Sequence, residues 1–260
     1  MAAAVKLRTM TYCLAASVNT GLVFVSDSRT NAGIDQLRVY SKMHPFTDLD
    51  GRFFTLLSAG NLATTQAVVA RLHRDIREAA GVSLATVGRI REAADYIGAV
   101  NREVQQHYGA QGDDDKFSPK ADFILGGQIG QAPHGLFHIY PQGNFVTPME
   151  LAPFLQLGEQ KYGKPILDRI VRMDTDLETV ARCGLVSMDS TMRSNASVGP
   201  PIEIMLYRAG ASVPPVHLVF EEGHPYLMAI RESWSVNLRR AFDQLPPLAL
   251  PDPNVRLVDG

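Results

Sequence analysis

Thr11 to Arg29 reads TYCLAASVNTGLVFVSDSR, and this stretch decides the fold. Two apolar runs, Thr11 to Val18 and Leu22 to Ser26, flank Asn19-Thr20-Gly21, whose glycine supplies the positive φ that a short hairpin loop needs. The hairpin runs straight into Ser26-Asp27-Ser28-Arg29. A basic residue follows at Lys42, and a hydrophobic strand, Phe53 to Leu57, ends in Ser58-Ala59-Gly60.

Beyond Asn61 the period changes from that of a strand to that of a helix. Leu62, Val69, Leu72 and Ile76 recur on one helical face, and Val87, Ile90, Ala94 and Ile97 repeat the pattern after Gly81. Two adjacent helices are therefore expected between sheet segments. Gly109 to Lys120 is a polar loop whose Asp113, Asp114 and Asp115 lack the alternating ligands of a calcium loop and read as a solvated turn. Ala121 to Leu125 and Leu136 to Tyr140 resume as strands, with Gly126-Gly127-Gln128-Ile129-Gly130 as a hairpin connection; this glycine group lacks nucleotide-site spacing. Thr175-Asp176-Leu177-Glu178 has the form of a capping box, and Leu177, Ala181, Gly184 and Met188 form the stripe of the helix behind it, which ends near Asp189 to Asn195. Glu203 to Tyr207 and Val216 to Phe220 are the closing strands, and Leu227 to Phe242 is one more helix.

Strands alternating with pairs of helices favour α+β layering over a parallel βαβ array. The organisation read from the chain is a leader or misassigned start at 1–10, one domain at 11–245, and a proline-rich tail at 246–260, with no internal repeat or dividing linker. The sequence of 260 residues is 45% hydrophobic and 20% charged, with a formal net charge of -2. That balance offers no electrostatic footprint for nucleic acid or an anionic membrane. No window approaches the run of about 18 apolar residues that a membrane span requires. Cys13 and Cys183 are the only cysteines, too few for a disulfide framework, and a reducing, cytoplasmic setting is the expectation.

The chemistry begins with Thr11. If the mature chain starts there, one residue supplies both a hydroxyl nucleophile and a free α-amine to act as its base. Met1 to Met10 place their apolar run, Ala2 to Val5, ahead of Lys6 and Arg8, the reverse of a secretory signal. They read either as a short pro-segment or as an upstream start codon, with Met10 the true initiator. Lys42 beside Thr11 would favour the deprotonated hydroxyl, Asp27 would hold Lys42 charged, and the Gly60 amide would donate to a developing oxyanion. Singly, each has an ordinary reading: a β-branched strand residue, a structural ion pair, a turn.

In combination these residues resemble the motifs of proteasome β-subunits, and more closely those of Anbu, the bacterial proteasome-related family. The resemblance is carried by Met10-Thr11-Tyr12-Cys13, by Ser26-Asp27-Ser28-Arg29-Thr30-Asn31-Ala32-Gly33, and by Leu56 to Gln66 (LLSAGNLATTQ). It continues through Gly158 to Arg169 (GEQKYGKPILDR) and Asp189 to Asn195 (DSTMRSN). It implies a four-layer αββα sandwich of the N-terminal-nucleophile hydrolase type, with catalytic residues Thr11, Asp27, Lys42, Gly60 and Ser197. Ser197, before Val198-Gly199, matches a serine that supports the amine in proteasome β-subunits. The aspartate expected three positions earlier is replaced by Ser194, for which Asp189 or Ser190 is a possible substitute. Glu159 stands where those subunits carry serine.

The expected function is a threonine hydrolase that cleaves peptide or related amide bonds through an acyl-enzyme, within a homo-oligomer that is a ring or an open spiral. Two alternatives stand beside it: a catalytically silent assembly protein in which residues before Thr11 block the amine, and an acylase of small amides. The mechanism requires no metal or cofactor. His134 and His138 share a strand face but lack a third ligand, and read as structural.

Overall fold

A computed structural model describes residues 11–31, 37–110, 118–210 and 213–248. The expected leader at 1–10, the acidic turn at 113–115 and all but the start of the proline-rich tail lie outside the described residues.

The chain opens with strands β1 (Tyr12–Val18) and β2 (Gly21–Asp27), then the short β3 (Arg29–Asn31) and β4 (Leu37–Val39). Strands β5 (Met43–Leu49) and β6 (Arg52–Gly60) lead into helices α1 (Leu62–Arg77) and α2 (Ile90–Gly109). Next come β7 (Ala121–Ile129), β8 (Gly135–Ile139), β9 (Phe145–Val146) and β10 (Phe154–Gly158). The rest is α3 (Lys164–Ile170), α4 (Leu177–Ser194), β11 (Ile202–Arg208), β12 (Val216–Phe220) and α5 (Pro225–Asp243). The fold is α+β: among the described residues, two five-stranded antiparallel sheets run β10-β1-β2-β11-β12 and β5-β6-β7-β8-β9, with β3-β4 as a small separate ribbon.

The apolar core divides by strand face. Tyr12, Leu14, Ala16 and Val18 of β1 pack with α3 and α4 through Leu167, Leu177, Val180 and Met188. Their alternates Cys13 and Ala15 join Phe24 of β2 in a cluster that also holds Phe53, Leu57 and Ile124 of the second sheet. On that second sheet Phe54, Leu56, Phe123 and Leu125 pack with Leu72, Ala94 and Ile97 of α1 and α2. Both faces of β1 and β2 are thus covered, and every residue of the two strands except Ser17 is buried. Phe53 stacks on Tyr207 at 3.9 Å between centroids, a contact across the two sheets. Burial of a side chain of this size contributes about 1.5–3 kcal/mol.

The helix ends follow capping chemistry. Asn61 accepts from the Thr64 N–H at 3.1 Å and opens α1, while the Glu92 carboxylate reaches back to the N–H groups of Gly88 and Arg89 at 2.8 and 3.2 Å to fix the start of α2. The expected capping box at Thr175 is corrected: Asp176 is the cap of α4, accepting from the Thr179 N–H at 2.9 Å, and Thr175 instead accepts from the Arg172 N–H. Gly126 and Gly127 are also corrected. They lie inside β7, not in a connection, paired with Thr55 and Phe54 of β6, and the strand carries glycine at 126 because a Cβ there would collide with the Phe24 ring.

Candidate active site

The site forms where β1 starts and β2 ends. Their register sets Cys13 opposite Ser26, so Asp27 stands at the mouth beside Tyr12. The Tyr12 N–H donates to Asp27 Oδ1 at 3.0 Å, and Lys42 Nζ donates to the same oxygen at 2.6 Å. Asp27 Oδ2 accepts from the Gly199 N–H at 3.3 Å. Lys42 also donates to the Arg29 carbonyl at 2.8 Å. Both members of the ion pair are buried. Burial pushes the Asp27 carboxyl above its ordinary pKa, opposed by Lys42 and by the N–H groups of Tyr12 and Gly199. With both oxygens engaged, this carboxylate acts as an anchor for a cation and for backbone.

Lys42 approaches from the second sheet. It stands directly before β5, and its carbonyl accepts from the Ser58 N–H of β6 at 3.0 Å. The Asp27–Lys42 contact therefore ties the end of β2 to the end of β6. Gly60 ends β6 with φ +110, pairs with Ala121, and stands two residues beyond Ser58.

Thr11 is half-exposed at the head of β1. Its carbonyl accepts from the Glu159 N–H at 2.9 Å, and Tyr12 pairs with Gly158. Gly158 has φ +78, and a Cβ there would fall on the Thr11 carbonyl oxygen. A side chain on this glycine is therefore excluded twice, by conformation and by contact.

Ser197 lies on the loop between α4 and β11. Its N–H donates to Asn195 Oδ1 at 3.0 Å, and the loop is clipped to β3 by Arg29, whose Nη1 reaches the Ala196 carbonyl at 2.9 Å and whose N–H reaches the Gly199 carbonyl at 3.3 Å. Of the five expected residues, Asp27 and Lys42 touch directly. Thr11 joins them through Tyr12, Ser197 through Gly199, and Gly60 through the Ser58–Lys42 backbone bond.

Asp189 is buried in α4, and its Oδ1 accepts from Arg231 Nε of α5 at 2.6 Å, a partner outside the five candidate residues. His134 precedes β8 and meets the Val18 carbonyl, whereas His138, inside β8, meets Asp122, so the shared strand face expected of them is corrected. Among the described residues no group of three or more His, Cys, Asp or Glu is arranged to hold a metal ion, and no helix is long and apolar enough to cross a membrane.

Several polar neighbours escaped the sequence reading. Glu203 is buried on β11 opposite Ser26, accepting from Ser28 Oγ at 2.9 Å and meeting His217 Nε2 at 3.1 Å. A charge inside Ile202-Glu203-Ile204 was the available signal. His44 Nε2 lies 3.0 Å from Ser58 Oγ, and burial, aided by His73, lowers its pKa to about 4. Cys13 is the nearest thiol, and burial pushes its pKa far up, against the opposing influence of Lys42, so it stays protonated. A cavity of about 680 Å³ lined by Phe53, Met205, Tyr207 and His217 includes none of the five candidate residues.

No protein-family model and no curated protein matches the sequence. Solved structures do. The chain is 43% identical to the subunit in the helical assembly of the Anbu complex from Pseudomonas aeruginosa, with a TM-score of 0.85 over 92% of this chain and 98% of that one. It is 42% identical to Anbu from Yersinia bercovieri, with a TM-score of 0.84 over 92% and 100% of the two chains. Anbu from Hyphomicrobium sp. strain MC1 matches at 38% identity and a TM-score of 0.83, again over 92% and 100%.

Proposed function

The chain belongs to the Anbu family of proteasome-related proteins, and on that premise we propose that it is a threonine hydrolase acting on peptide or related amide bonds from inside a self-assembled oligomer. Its two sheets stack face to face with helices outside each, an αββα sandwich formed by residues 11–245. The catalytic group is Thr11 with a free amine, and the observation that carries the reading is the shared oxygen of Asp27. One atom accepts from both Lys42 Nζ and the Tyr12 N–H, which fixes an ammonium beside the residue that follows Thr11.

The steps follow from that arrangement. Thr11 Oγ attacks the carbonyl carbon of the substrate as its proton passes to the Thr11 α-amine, whose reference pKa of about 7.7–8.0 suits neutral pH. The Lys42 charge favours the developing alkoxide, and the Gly60 N–H donates to the oxyanion. As the carbon–nitrogen bond breaks, the proton moves to the leaving amine and an ester remains on Thr11. Water, deprotonated by the same amine, then hydrolyses the ester. Ser197 supports the amine from the loop that Asp27 holds through Gly199.

Self-association draws support from the Pseudomonas relative, whose subunits form a helical assembly, and an open spiral is the corresponding form for this chain. Two buried free cysteines suit a reducing, cytoplasmic setting. The test is covalent labelling by an electrophilic threonine-protease inhibitor: Thr11→Ala abolishes labelling and leaves assembly intact. Labelling that persists in the variant rules out this nucleophile, and a wild-type chain that assembles but never labels supports a silent scaffold.

A further inference from the structure

Glu203 is a carboxylate inside the apolar run Ile202-Glu203-Ile204 of β11. It stands opposite Ser26 and two residues from Met205, so it shares the strand face of the cluster that joins the two sheets. Both of its oxygens are engaged. Ser28 Oγ donates to Oε1 at 2.9 Å, and His217 Nε2 of β12 lies 3.1 Å from Oε2. A carboxylate only accepts, so the imidazole supplies the hydrogen of the second contact. The Glu203 side chain is 8% exposed and that of His217 36%. The three residues thus form one chain that runs from the edge strand of the first sheet to Ser28, the residue after Asp27.

Stability alone does not account for this chain. Desolvating a carboxylate is costly, and an apolar residue between Ile202 and Ile204 would avoid it. Nor does Glu203 satisfy the polar group directly across the strand pair, since Ser26 Oγ is buried without a hydrogen-bond partner among the described residues. The carboxylate reaches past it to Ser28. That residue stands in the segment on which the candidate site is built: Asp27 Oδ1 and the Arg29 carbonyl, on either side of it, accept from Lys42 Nζ at 2.6 and 2.8 Å. A shift of Ser28 therefore moves both acceptors of the ammonium together. β1 and β2 pair up to Cys13 and Ser26, and two residues further along the same chain segments stand Thr11 and Ser28. Backbone bonds hold the segment at Tyr40 and Gly199, and Glu203 holds it by the Ser28 side chain.

We propose that Glu203 is a positioning residue for the reaction at Thr11: through Ser28 it fixes the segment that places Lys42, and His217 holds the carboxylate in place from the edge strand. The inference rests on the threonine-hydrolase reading and extends its machinery to β11 and β12. Glu203 acts through Ser28 and Lys42 and not on the substrate. Without the donor at Oε2 the carboxylate turns towards water at the sheet edge and releases Ser28, and the ammonium loses its place beside the reacting hydroxyl. A displacement of about 1 Å is enough to slow chemistry by roughly 100-fold. The signature is slower bond formation with binding unchanged.

Covalent labelling of the folded full chain by an electrophilic threonine-protease inhibitor, resolved into binding (KI) and the maximal rate of bond formation (kinact), tests this. Ser28→Ala and His217→Ala are expected to lower kinact at least about tenfold with KI unchanged. His217→Gln, whose side-chain amide can donate to the same oxygen, is expected to restore kinact to within about threefold of wild type. The double variant Ser28→Ala, His217→Ala labels no more slowly than the slower single variant, since either change breaks the same chain. Amide hydrogen exchange at Arg29 and Tyr40, whose N–H groups bond to Gly199 and Ser28, reads the segment without any chemistry. It is expected to rise at least about tenfold in His217→Ala and to return in His217→Gln. Labelling and exchange at wild-type rates in both single variants, a loss that the glutamine does not rescue, or a change in KI alone overturns the positioning role. A wild-type chain that never labels overturns the hydrolase reading instead, and the exchange comparison then decides by itself whether Glu203 and His217 hold the segment.

Discussion

Asp27 and Lys42 form a buried ion pair that joins the two sheets at the mouth of the candidate site, with Nζ 2.6 Å from Oδ1. A pair of this kind is weak evidence of stability, since desolvation offsets its Coulomb attraction. On the proposed mechanism its role is instead to hold a cation for the chemistry of Thr11, and the two roles separate by experiment. Lys42→Ala strands a carboxylate in the interior and costs about 3–5 kcal/mol in urea unfolding. The double variant Asp27→Asn, Lys42→Ala recovers most of that loss. Neither regains labelling at Thr11, which falls at least about 100-fold. Restored labelling in the double variant would make the pair purely structural.

Gly158 controls where Thr11 sits. Gly158→Ala is expected to cost roughly 2–4 kcal/mol, because φ +78 and the Thr11 carbonyl both oppose a Cβ, and to slow labelling of the folded fraction. Gly51→Ala is the control: it also has positive φ but no atom within 4 Å of a Cβ, and its cost is about 1 kcal/mol. Equal losses at the two positions would contradict the crowding at Thr11.

His44 gives the fold an acid-sensitive contact. In the unfolded chain it takes up a proton near pH 6.5, whereas burial delays this in the native state to about pH 4. A histidine with a depressed native pKa contributes stability that is present above pH 6.5 and lost as pH falls towards 4. The full shift corresponds to roughly 3 kcal/mol. His73 is shifted the same way and adds to the loss. His44→Gln is expected to flatten stability between pH 7 and 5, measured by urea unfolding; an unchanged slope would place the acid sensitivity elsewhere.

Asp189 separates fold from chemistry. Asp189→Asn weakens the α4–α5 contact with Arg231 and lowers stability by about 1–3 kcal/mol, with the rate of Thr11 labelling per folded molecule unchanged. A slowed rate would return Asp189 to the site.

The order of strands and helices was legible because β1, β2 and β6 are apolar runs with turn residues between them, and α1, α2 and α4 carry their stripes openly. The pairing of Asp27 with Lys42 was legible through the family's motif spacing. What escaped depends on neighbours distant in sequence. Gly126 and Gly127 read as a turn until the Phe24 ring of the other sheet explains why a strand carries glycine there. β10 and α3, five and seven residues long, are too short for a period to declare itself. Asp189 reads as a helix end or a site residue until Arg231 arrives from a helix forty-two residues later. Glu203 shows its partners Ser28 and His217 only once β2, β11 and β12 lie side by side.

The free amine of Thr11 is the claim on which the chemistry stands, and the mass of the first tryptic peptide of purified native protein tests it most directly. The account predicts a peptide that starts at Thr11 and ends at Arg29, with an unmodified α-amine. Peptides that carry Met10 or earlier residues in every copy would contradict it.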